Sequence, residues 1–359
     1  MNKTRIALIY GGRSVEHGVS INSARNIAKY IDKSRFEPFC IGITESGQWH
    51  LTEHIDKNIS AGESLSLSLT THEPSFVTPS GKILKADVIF PILHGTDGED
   101  GSVQGLFKVV DLPMVGTGVL GSAISMSKVI TKKILKEAGL PVSPFLYGHF
   151  NNQSEFTFDR VRQQVGLPFM VKSASLGSSV GVSKVNSQAD FEKALSEAFR
   201  FDDVVLFETY IKGREVECAI LGNYPPETSL PGEIIISHAY EFYTFDAKYV
   251  DPDAVKIEIP ANVTPSEAEK IRTLSLRAYQ ELACEDFARV DLFLTENGEV
   301  FINEINTIPG FTNSSMYPMM WKERGIGFTD LISRLIDLAL ERYRRGKRLQ
   351  RDYQSGLNY

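Results

Sequence analysis

Two carboxylates, an amide and a guanidinium recur at alternate positions in the stretch FARVDLFLTENGEVFINEIN, residues 287 to 306. Asn297-Gly298 is a dipeptide that favours a tight two-residue hairpin turn. That turn predicts Glu296 opposite Glu299, Phe293 opposite Ile302, Asp291 opposite Glu304 and Arg289 opposite Asn306, with the last three pairs on one face. Facing carboxylates destabilise an antiparallel pair. Arg289 could serve Asp291 as an ordinary ion-pair partner, since structural networks also cluster charges. Alternatively, Asp291, Glu304 and the amide oxygen of Asn306 form a hard-ligand set suited to Mg²⁺, which completes its shell with phosphates. The second reading also explains the pairing: a cation between the two carboxylates turns repulsion into attraction.

A metal that takes phosphates implies a nucleotide. The pattern G-x-x-x-x-G-K-[ST] is absent, which excludes a P-loop. VKSASLGSSVGVSKV reads as strand, Gly/Ser-rich loop, strand. Its backbone N–H groups, the Ser178 and Ser179 hydroxyls and Lys172 could cradle oxyanions, although such a segment is more often a plain hairpin. Lys128 opens a predicted helix, where the macrodipole disfavours a cation; a phosphate or open solvent would each account for it. Glu208 and Glu215, in FETYIKGREVE, are either solvated loop charges or polar contacts to a nucleoside. GGRSVEHGVS and LHGTDGEDGS each join a strand to a helix, where open α/β sheets place ligands. A helix N-terminus there attracts a carboxylate or phosphate, and Glu16 could hold an ammonium, so an amino acid would suit. DGEDG lacks EF-hand spacing.

The elements that must carry these residues read as three units, 1–122, 123–212 and 213–359. In the first, RIALIYGG, PFCIGI and ADVIFPILHG are strands and SVQGLFKVV is a helix, a pattern that predicts an open parallel sheet. The Ser/Thr-rich segment from Thr52 to Pro79 reads as an irregular excursion. In the second, the helix SKVITKKILKEAGLPV stops at Gly139 and Pro141. The strands PFMVK, VGVSKV and VVLFETYI follow, with a helix from Ser187 to Phe201. The third opens with EVECAIL and EIIISHAYEFY, continues through a helix from Pro265 to Leu282 and the hairpin, and closes on an amphipathic helix.

The 359 residues carry a formal net charge of −7, which argues against a general nucleic-acid binder. The basic ERYRRGKRLQR reads as a solvated helix end. Cys40, Cys218 and Cys284 indicate neither zinc nor a disulfide framework. The N-terminal apolar run is too short for a signal peptide, and no stretch approaches ~20 apolar residues, the length of a membrane span. These features predict a soluble, reduced, cytoplasmic protein.

In order along the chain, GGRSVEHGVS, HGTDGEDG, VKSASLGSSVG, FETYIKGREVE, FDAKY, RVDLFL and INEINTIPGFTNSSMYP resemble the D-alanine–D-alanine ligases of the ATP-grasp superfamily. The resemblance implies an α/β fold: an N-terminal Rossmann-like open parallel sheet over 1–122, then an ATP-grasp fold of two α+β subdomains. The phosphate loop would lie in 123–212, and the lid and metal site in 213–359. It further implies ATP, two Mg²⁺ or Mn²⁺ ions, D-alanine as substrate and a homodimer through the N-terminal unit, with no nucleic-acid or membrane partner. Glu16 and His94 would lie at the first D-alanine, and Ser178 would link Glu16 to Tyr249 of the lid YEFYTFDAKYVDPDAV. Lys128, Lys172 and Lys248 would serve the ATP phosphates, and Glu208, Tyr210, Ile211, Glu215 and Phe293 the nucleoside. Asp291, Glu304 and Asn306 would hold metal, Arg289 and the Gly310 backbone the oxyanion, and Ser315 and Met316 the second carboxylate. Ser173 stands where the family commonly has proline after the lysine, and Thr209 where lysine is frequent. Alternatives are a D-alanine–D-lactate or other ATP-grasp ligase, and, from another class, a nucleotide-binding module without turnover. Lys248-Tyr249 resembles the dipeptide-forming members.

Overall fold

The computed structural model describes residues 3–70, 73–178, 180–236, 255–350 and 352. Strand β1 (Thr4–Gly11) leads through helix α1 (His17–Tyr30) to β2 (Phe36–Ile43), with β3 (Trp49–Thr52) and β4 (Glu63–Ser64) beyond it. The short strands β5 (Ser66–Leu67), β6 (Phe76–Val77) and β7 (Ile83–Leu84) form a small sheet of their own, and β8 (Val88–Pro91) returns to the far side of β1. The order is β4-β3-β2-β1-β8. Strands β2, β1 and β8 are mutually parallel, and β3 adds antiparallel to β2. The open parallel sheet expected from the strand–helix alternation is therefore mixed at one edge. IALIY of β1 is buried throughout, as a central parallel strand requires.

The excursion predicted to be irregular contains β4, β5 and β6, and β7 follows just beyond it. Phe76 anchors it in the core beneath the main sheet. Strands of two residues are too short to carry a periodic signal.

Helices α2 (Ser102–Val109), α3 (Val119–Met126) and α4 (Lys128–Glu137) follow. Helix α3 has no counterpart among the predicted elements. Its sequence VLGSAISM is built of small residues and packs tightly: a Cβ on Gly121 would fall 2.4 Å from Ala283 O. Ser127 caps α4 by accepting from Ile130 N.

The second sheet comprises β9 (Phe145–His149), β10 (Phe169–Ser173), β11 (Val182–Val185) and β12 (Val204–Thr209), in the antiparallel order β11-β10-β12-β9. Phe169, Phe191 and Phe207 pack it against α5 (Phe158–Val165) and α6 (Gln188–Ala198). The third sheet holds β13 (Arg214–Leu221), β14 (Glu227–Thr228), β15 (Gly232–Ile236), β16 (Val255–Glu258), β17 (Phe287–Leu294) and β18 (Val300–Asn306). Its order is β16-β15-β13-β17-β18, with β14 on β13.

One face of this third sheet lies on α7 (Pro265–Glu281), burying Val290, Leu292 and Ile302. Helix α7 begins at a reciprocal Thr264–Glu267 capping box with Pro265 in the first turn, the strongest local start signal in the chain. Helices α8 (Met316–Glu323) and α9 (Phe328–Gly346) close the structure. Leu331, Leu335 and Ile336 of α9 share a core with Ile6 and Leu8 of β1, so the C-terminal helix packs on the N-terminal sheet. The other face of β17 and β18 is left to the site.

Candidate active site

The hairpin register differs from the expected one near the turn. Gly298 N donates to Thr295 O at 3.0 Å, and Thr295 N donates to Glu299 O at 2.9 Å. Gly298 has φ +74, a left-handed conformation that glycine adopts freely. The loop is thus one residue longer than a two-residue turn, and Phe293 faces Phe301 rather than Ile302. A β-bulge at Asn303 takes up the extra residue. Beyond it Asp291 faces Glu304 and Arg289 faces Asn306, as the sequence predicts. The bulge also does something the sequence did not reveal. Ile302 and Ile305 both stay in the core, while Asn303 and Glu304 both line the cleft.

The facing carboxylates are already compensated, contrary to the expectation that they repel each other without metal. Arg289 donates from Nε and Nη2 to the two oxygens of Asp291, both at 2.7 Å, and its Nε also lies 2.9 Å from Glu217 Oε2. Asn306 Nδ2 donates to Asp291 Oδ2 at 3.0 Å. Lys128 Nζ lies 3.3 Å from Glu304 Oε2 and donates to Leu176 O at 2.7 Å, so it turns into the site and not to solvent. Both readings of the stripe therefore apply at once: Arg289 is the ion-pair partner of Asp291, and Asp291, Glu304 and Asn306 offer hard oxygens on adjoining strands. Among the described residues no group of three or more His, Cys, Asp or Glu side chains is arranged to hold a metal ion by itself. The donor set consists of two carboxylates and an amide, which fits a hard divalent ion sharing its shell with phosphate oxygens.

Between the second and third sheets lies a cleft of about 370 Å³, lined by Met170, Lys172, Glu208, Tyr210, Ile211, Glu215 and Phe293 among others. Its size and mix of apolar walls with a few charges suit a small organic ligand. Glu208, at the end of β12, is gripped on both oxygens: Lys172 Nζ at 2.5 Å on one, Lys132 Nζ at 2.7 Å on the other. Ser143 Oγ donates to it at 2.8 Å and accepts from Lys132 at 2.9 Å. Burial alone would raise the Glu208 pKa, but the two lysines outweigh it and hold the carboxyl well below its usual range. Burial lowers the Lys132 pKa; for Lys172 burial also lowers it, but the attraction of Glu208 prevails and the net shift is upward.

Nothing in the sequence alone marks Lys132 among the four lysines of KVITKKILKE beyond its i, i+4 spacing from Lys128, which puts both on one face of α4. Lys172 also donates to Asn303 Oδ1 at 3.2 Å, so the bulge residue belongs to this cluster.

A second cavity, of about 720 Å³, adjoins the first, and both are lined by Lys128, Ser178, Glu217 and Glu304. Glu16 stands at the head of α1, boxed between two glycines. A Cβ on Gly95 would fall 2.8 Å from Glu16 Oε2, and one on Gly177 3.0 Å. Ser178, itself at φ +55, donates from Oγ to Glu16 Oε1 at 2.5 Å, tying the Gly/Ser loop to the N-terminal sheet.

His94 is buried with both nitrogens used. Nδ1 lies 2.8 Å from Ile308 O, and since a carbonyl only accepts, Nδ1 carries the proton. Nε2 then accepts from Ser23 Oγ at 3.0 Å, and burial keeps the ring neutral by lowering its pKa. Glu99, not singled out by sequence, accepts from Ile308 N at 2.8 Å and Gly95 N at 2.9 Å. Burial, reinforced by Glu16, pushes its pKa up to about 7. His94 and Glu99 thus clamp the Ile308 backbone from both sides, two residues before Gly310.

At the far wall Ser315 caps α8. Its hydroxyl is engaged by Thr312, accepting from Thr312 N at 3.0 Å. The Met316 side chain is core, packed on Gly232, so the helix N-terminus reaches the cavity there through its backbone. Lys248, Tyr249 and the rest of the expected lid lie outside the described residues, as does Ser179.

Two family models match the chain, described as D-ala D-ala ligase N-terminus over residues 5–117 and D-ala D-ala ligase C-terminus over residues 134–337. The D-alanine–D-alanine ligase A of Escherichia coli (strain K12) is 47% identical over 356 residues, spanning 96% of this chain and 97% of its own. The D-alanine–D-alanine ligase of Shouchella clausii is 45% identical, spanning 98% of each. Among solved structures, the D-alanine–D-alanine ligase from Coxiella burnetii superposes with a TM-score of 0.83 at 35% identity, covering 96% of this chain and 98% of that one. The VanG D-Ala:D-Ser ligase from Enterococcus faecalis gives 0.86 at 33% identity, covering 94% and 100%.

Proposed function

The chain belongs to the D-alanine–D-alanine ligase family, and on that premise we propose how its residues perform the ligation. The enzyme is an ATP-dependent ligase that joins two D-alanines into a dipeptide for peptidoglycan synthesis, releasing ADP and phosphate. The observation that carries the residue assignments is the pair of adjoining cavities, with Lys128, Ser178 and Glu304 at their border. The smaller takes ATP and the larger the two amino acids, so the γ-phosphate meets a carboxylate where the cavities join.

Glu16 holds the ammonium of the first D-alanine, and Ser178 fixes the Glu16 carboxylate through its 2.5 Å hydrogen bond. Lys172, beside Glu208, and Lys128, beside Glu304, serve the nucleotide phosphates. Glu208, Tyr210, Ile211, Glu215 and Phe293 line the nucleoside end, and the family resemblance assigns Lys248 to the phosphates. Asp291, Glu304 and Asn306 are the residues that would hold divalent metal, a pair of Mg²⁺ or Mn²⁺ ions, which supplies charge neutralisation at the transferring phosphoryl group. The first D-alanine carboxylate attacks the γ-phosphorus, the bond to ADP breaks, and an acyl phosphate forms. The amine of the second D-alanine, once deprotonated, attacks the acyl carbon, and phosphate leaves.

Arg289 and the Gly310 N–H stabilise the tetrahedral oxyanion, a contribution of ~2.7–4 kcal/mol per donor. His94 and Glu99 set the loop that presents Gly310. The second carboxylate sits at the N-terminus of α8, beside Ser315 and the Met316 backbone, where the helix dipole attracts an anion. To Tyr249 we assign, from the family resemblance, a part in ordering the acceptor subsite and excluding water from the acyl phosphate.

We assign these roles to three units, 1–122, 123–212 and 213–359, in a cytoplasmic homodimer. Among the described residues no helix is long and apolar enough to cross a membrane. A coupled assay of ADP release with and without D-alanine, with the product identified, tests the reading. D-alanine-dependent ADP and D-alanyl-D-alanine are expected; ADP release indifferent to D-alanine contradicts it.

A further inference from the structure

Asp291 and Glu304 are two members of a longer row. Glu217 of β13 pairs opposite Asp291 of β17, which pairs opposite Glu304 of β18. Three carboxylates therefore stand side by side across three strands, an arrangement that disfavours the sheet unless cations join them. Among the described residues Arg289 bridges Glu217 and Asp291, and Lys128 lies against Glu304. Glu217 is the most buried of the three, and it lines both cavities at their border.

We propose that Glu217 is the positioning residue for Arg289: it is the second carboxylate on which the guanidinium rests when Asp291 is committed to a divalent ion. The inference rests on the reading of Asp291 as a metal ligand. Arg289 occupies both oxygens of Asp291 at 2.7 Å, and Asn306 adds a third hydrogen bond to Oδ2. A hard cation needs direct contact with carboxylate oxygen, so it competes with the guanidinium for at least one of these sites. A displaced arginine in a buried cleft remains charged and needs an anion within reach. Glu217 Oε2 already lies 2.9 Å from Nε, so the transfer needs only a reorientation of the guanidinium plane.

Two consequences follow from one residue. Glu217 makes Asp291 available to metal, and it keeps Arg289 over the larger cavity, where an oxyanion develops. A purely structural Glu217 would affect stability and leave metal affinity alone.

The test is calorimetric binding of Mn²⁺ to the full-length enzyme saturated with a non-hydrolysable ATP analogue, without D-alanine. Loss of a residue that orients a ligand's surroundings typically weakens metal binding ~10–100-fold, so Glu217→Gln should fall at least about tenfold, Glu217→Asp should recover part of that loss, and metal-free analogue affinity should stay within about twofold. Unchanged Mn²⁺ affinity in Glu217→Gln, with Asp291→Asn impaired, overturns the Glu217 role alone. Unchanged affinity in both variants removes the metal assignment on which it rests. Should Glu217→Gln fail to fold, a crystal structure of the wild-type enzyme with Mg²⁺ and the analogue decides. Arg289 on Glu217 and withdrawn from at least one Asp291 oxygen is expected; Arg289 still on both Asp291 oxygens overturns the proposal.

Discussion

Replacing Glu99 by glutamine should change the stability of this enzyme in a way that depends on pH, and the size of the effect can be worked from its surroundings. Glu99 is half-buried, beside Glu16, and its pKa rises from an ordinary 4.5 to about 7, with desolvation the leading cause and Glu16 the second. Arg289 and the N–H groups of Gly95 and Ile308 oppose the rise without cancelling it. Burial also lowers the pKa of His94, another titratable group at this clamp. The folded state thus disfavours the charged form of Glu99. Its contribution to stability is fully present below pH 4.5 and is lost as pH rises through 7, where the penalty approaches about 3 kcal/mol at 1.36 kcal/mol per pH unit.

Glutamine cannot ionise, so that penalty disappears in the variant. Against this, its single acceptor oxygen serves only one of the two backbone donors, at a pH-independent cost of ~1–3 kcal/mol for the N–H left without a partner. The variant should therefore be less stable than wild type at pH 5, by up to about 2 kcal/mol, and level with it or more stable, by up to about 2 kcal/mol, at pH 8. The expected difference between the two conditions is about 2–3 kcal/mol. Urea unfolding at both pH values measures it, and hydrogen exchange at the Ile308 amide reports whether the clamp is the element that loosens. A stability difference that is the same at pH 5 and pH 8 would refute the reasoning.

Lys132→Met should cost about 3 kcal/mol, the low end for breaking a buried pair, because Lys172 and Ser143 still hold Glu208. It should also raise the KM for ATP roughly tenfold with little change for D-alanine; an unchanged ATP KM would show that Lys132 is only packing. Ser178→Ala removes the link between the Gly/Ser loop and Glu16, and should lower kcat/KM for D-alanine at least about tenfold with nucleotide binding spared. Equal losses for both substrates would contradict that division. Tyr249→Phe should let D-lactate compete better with D-alanine, most at lower pH, where the acceptor amine is protonated; product ratios from mixed substrates that do not change with pH would remove the selective role.

The hairpin shows what was legible in the sequence and what was not. The Asp291–Glu304 and Arg289–Asn306 pairs came out as predicted, yet the turn between them did not. A longer loop shifts the ladder by one residue, and the bulge at Asn303 shifts it back. The carboxylates could be paired from the sequence only because these two irregularities cancel. Asn303 was invisible for the same reason, since strict alternation would have turned it away from the cleft. Parallel strands in the N-terminal sheet were legible as apolar runs ending in glycines. Strands β4 to β7 were not, being two residues long, and neither was α3, whose small residues resemble a loop.

Within the site, charged residues at strand ends were found because such ends collect ligands. Lys132 and Glu99 were missed because each is defined by partners brought from distant segments: Glu208 and Ser143 for one, Gly95 and Ile308 for the other. Local sequence does not report how deeply a charge is buried or which partner it meets there.

In the proposed mechanism the D-alanine carboxylate attacks ATP at the border of the two cavities. Supplying D-alanine labelled with oxygen-18 in its carboxyl group and measuring the phosphate released tests it most directly. The mechanism predicts that each released phosphate carries one labelled oxygen, acquired from the first D-alanine as the acyl phosphate is consumed, and that Asp291→Asn abolishes this transfer. Phosphate released without label, at the rate at which ADP appears, would mean that water attacks the nucleotide, and would contradict the claim.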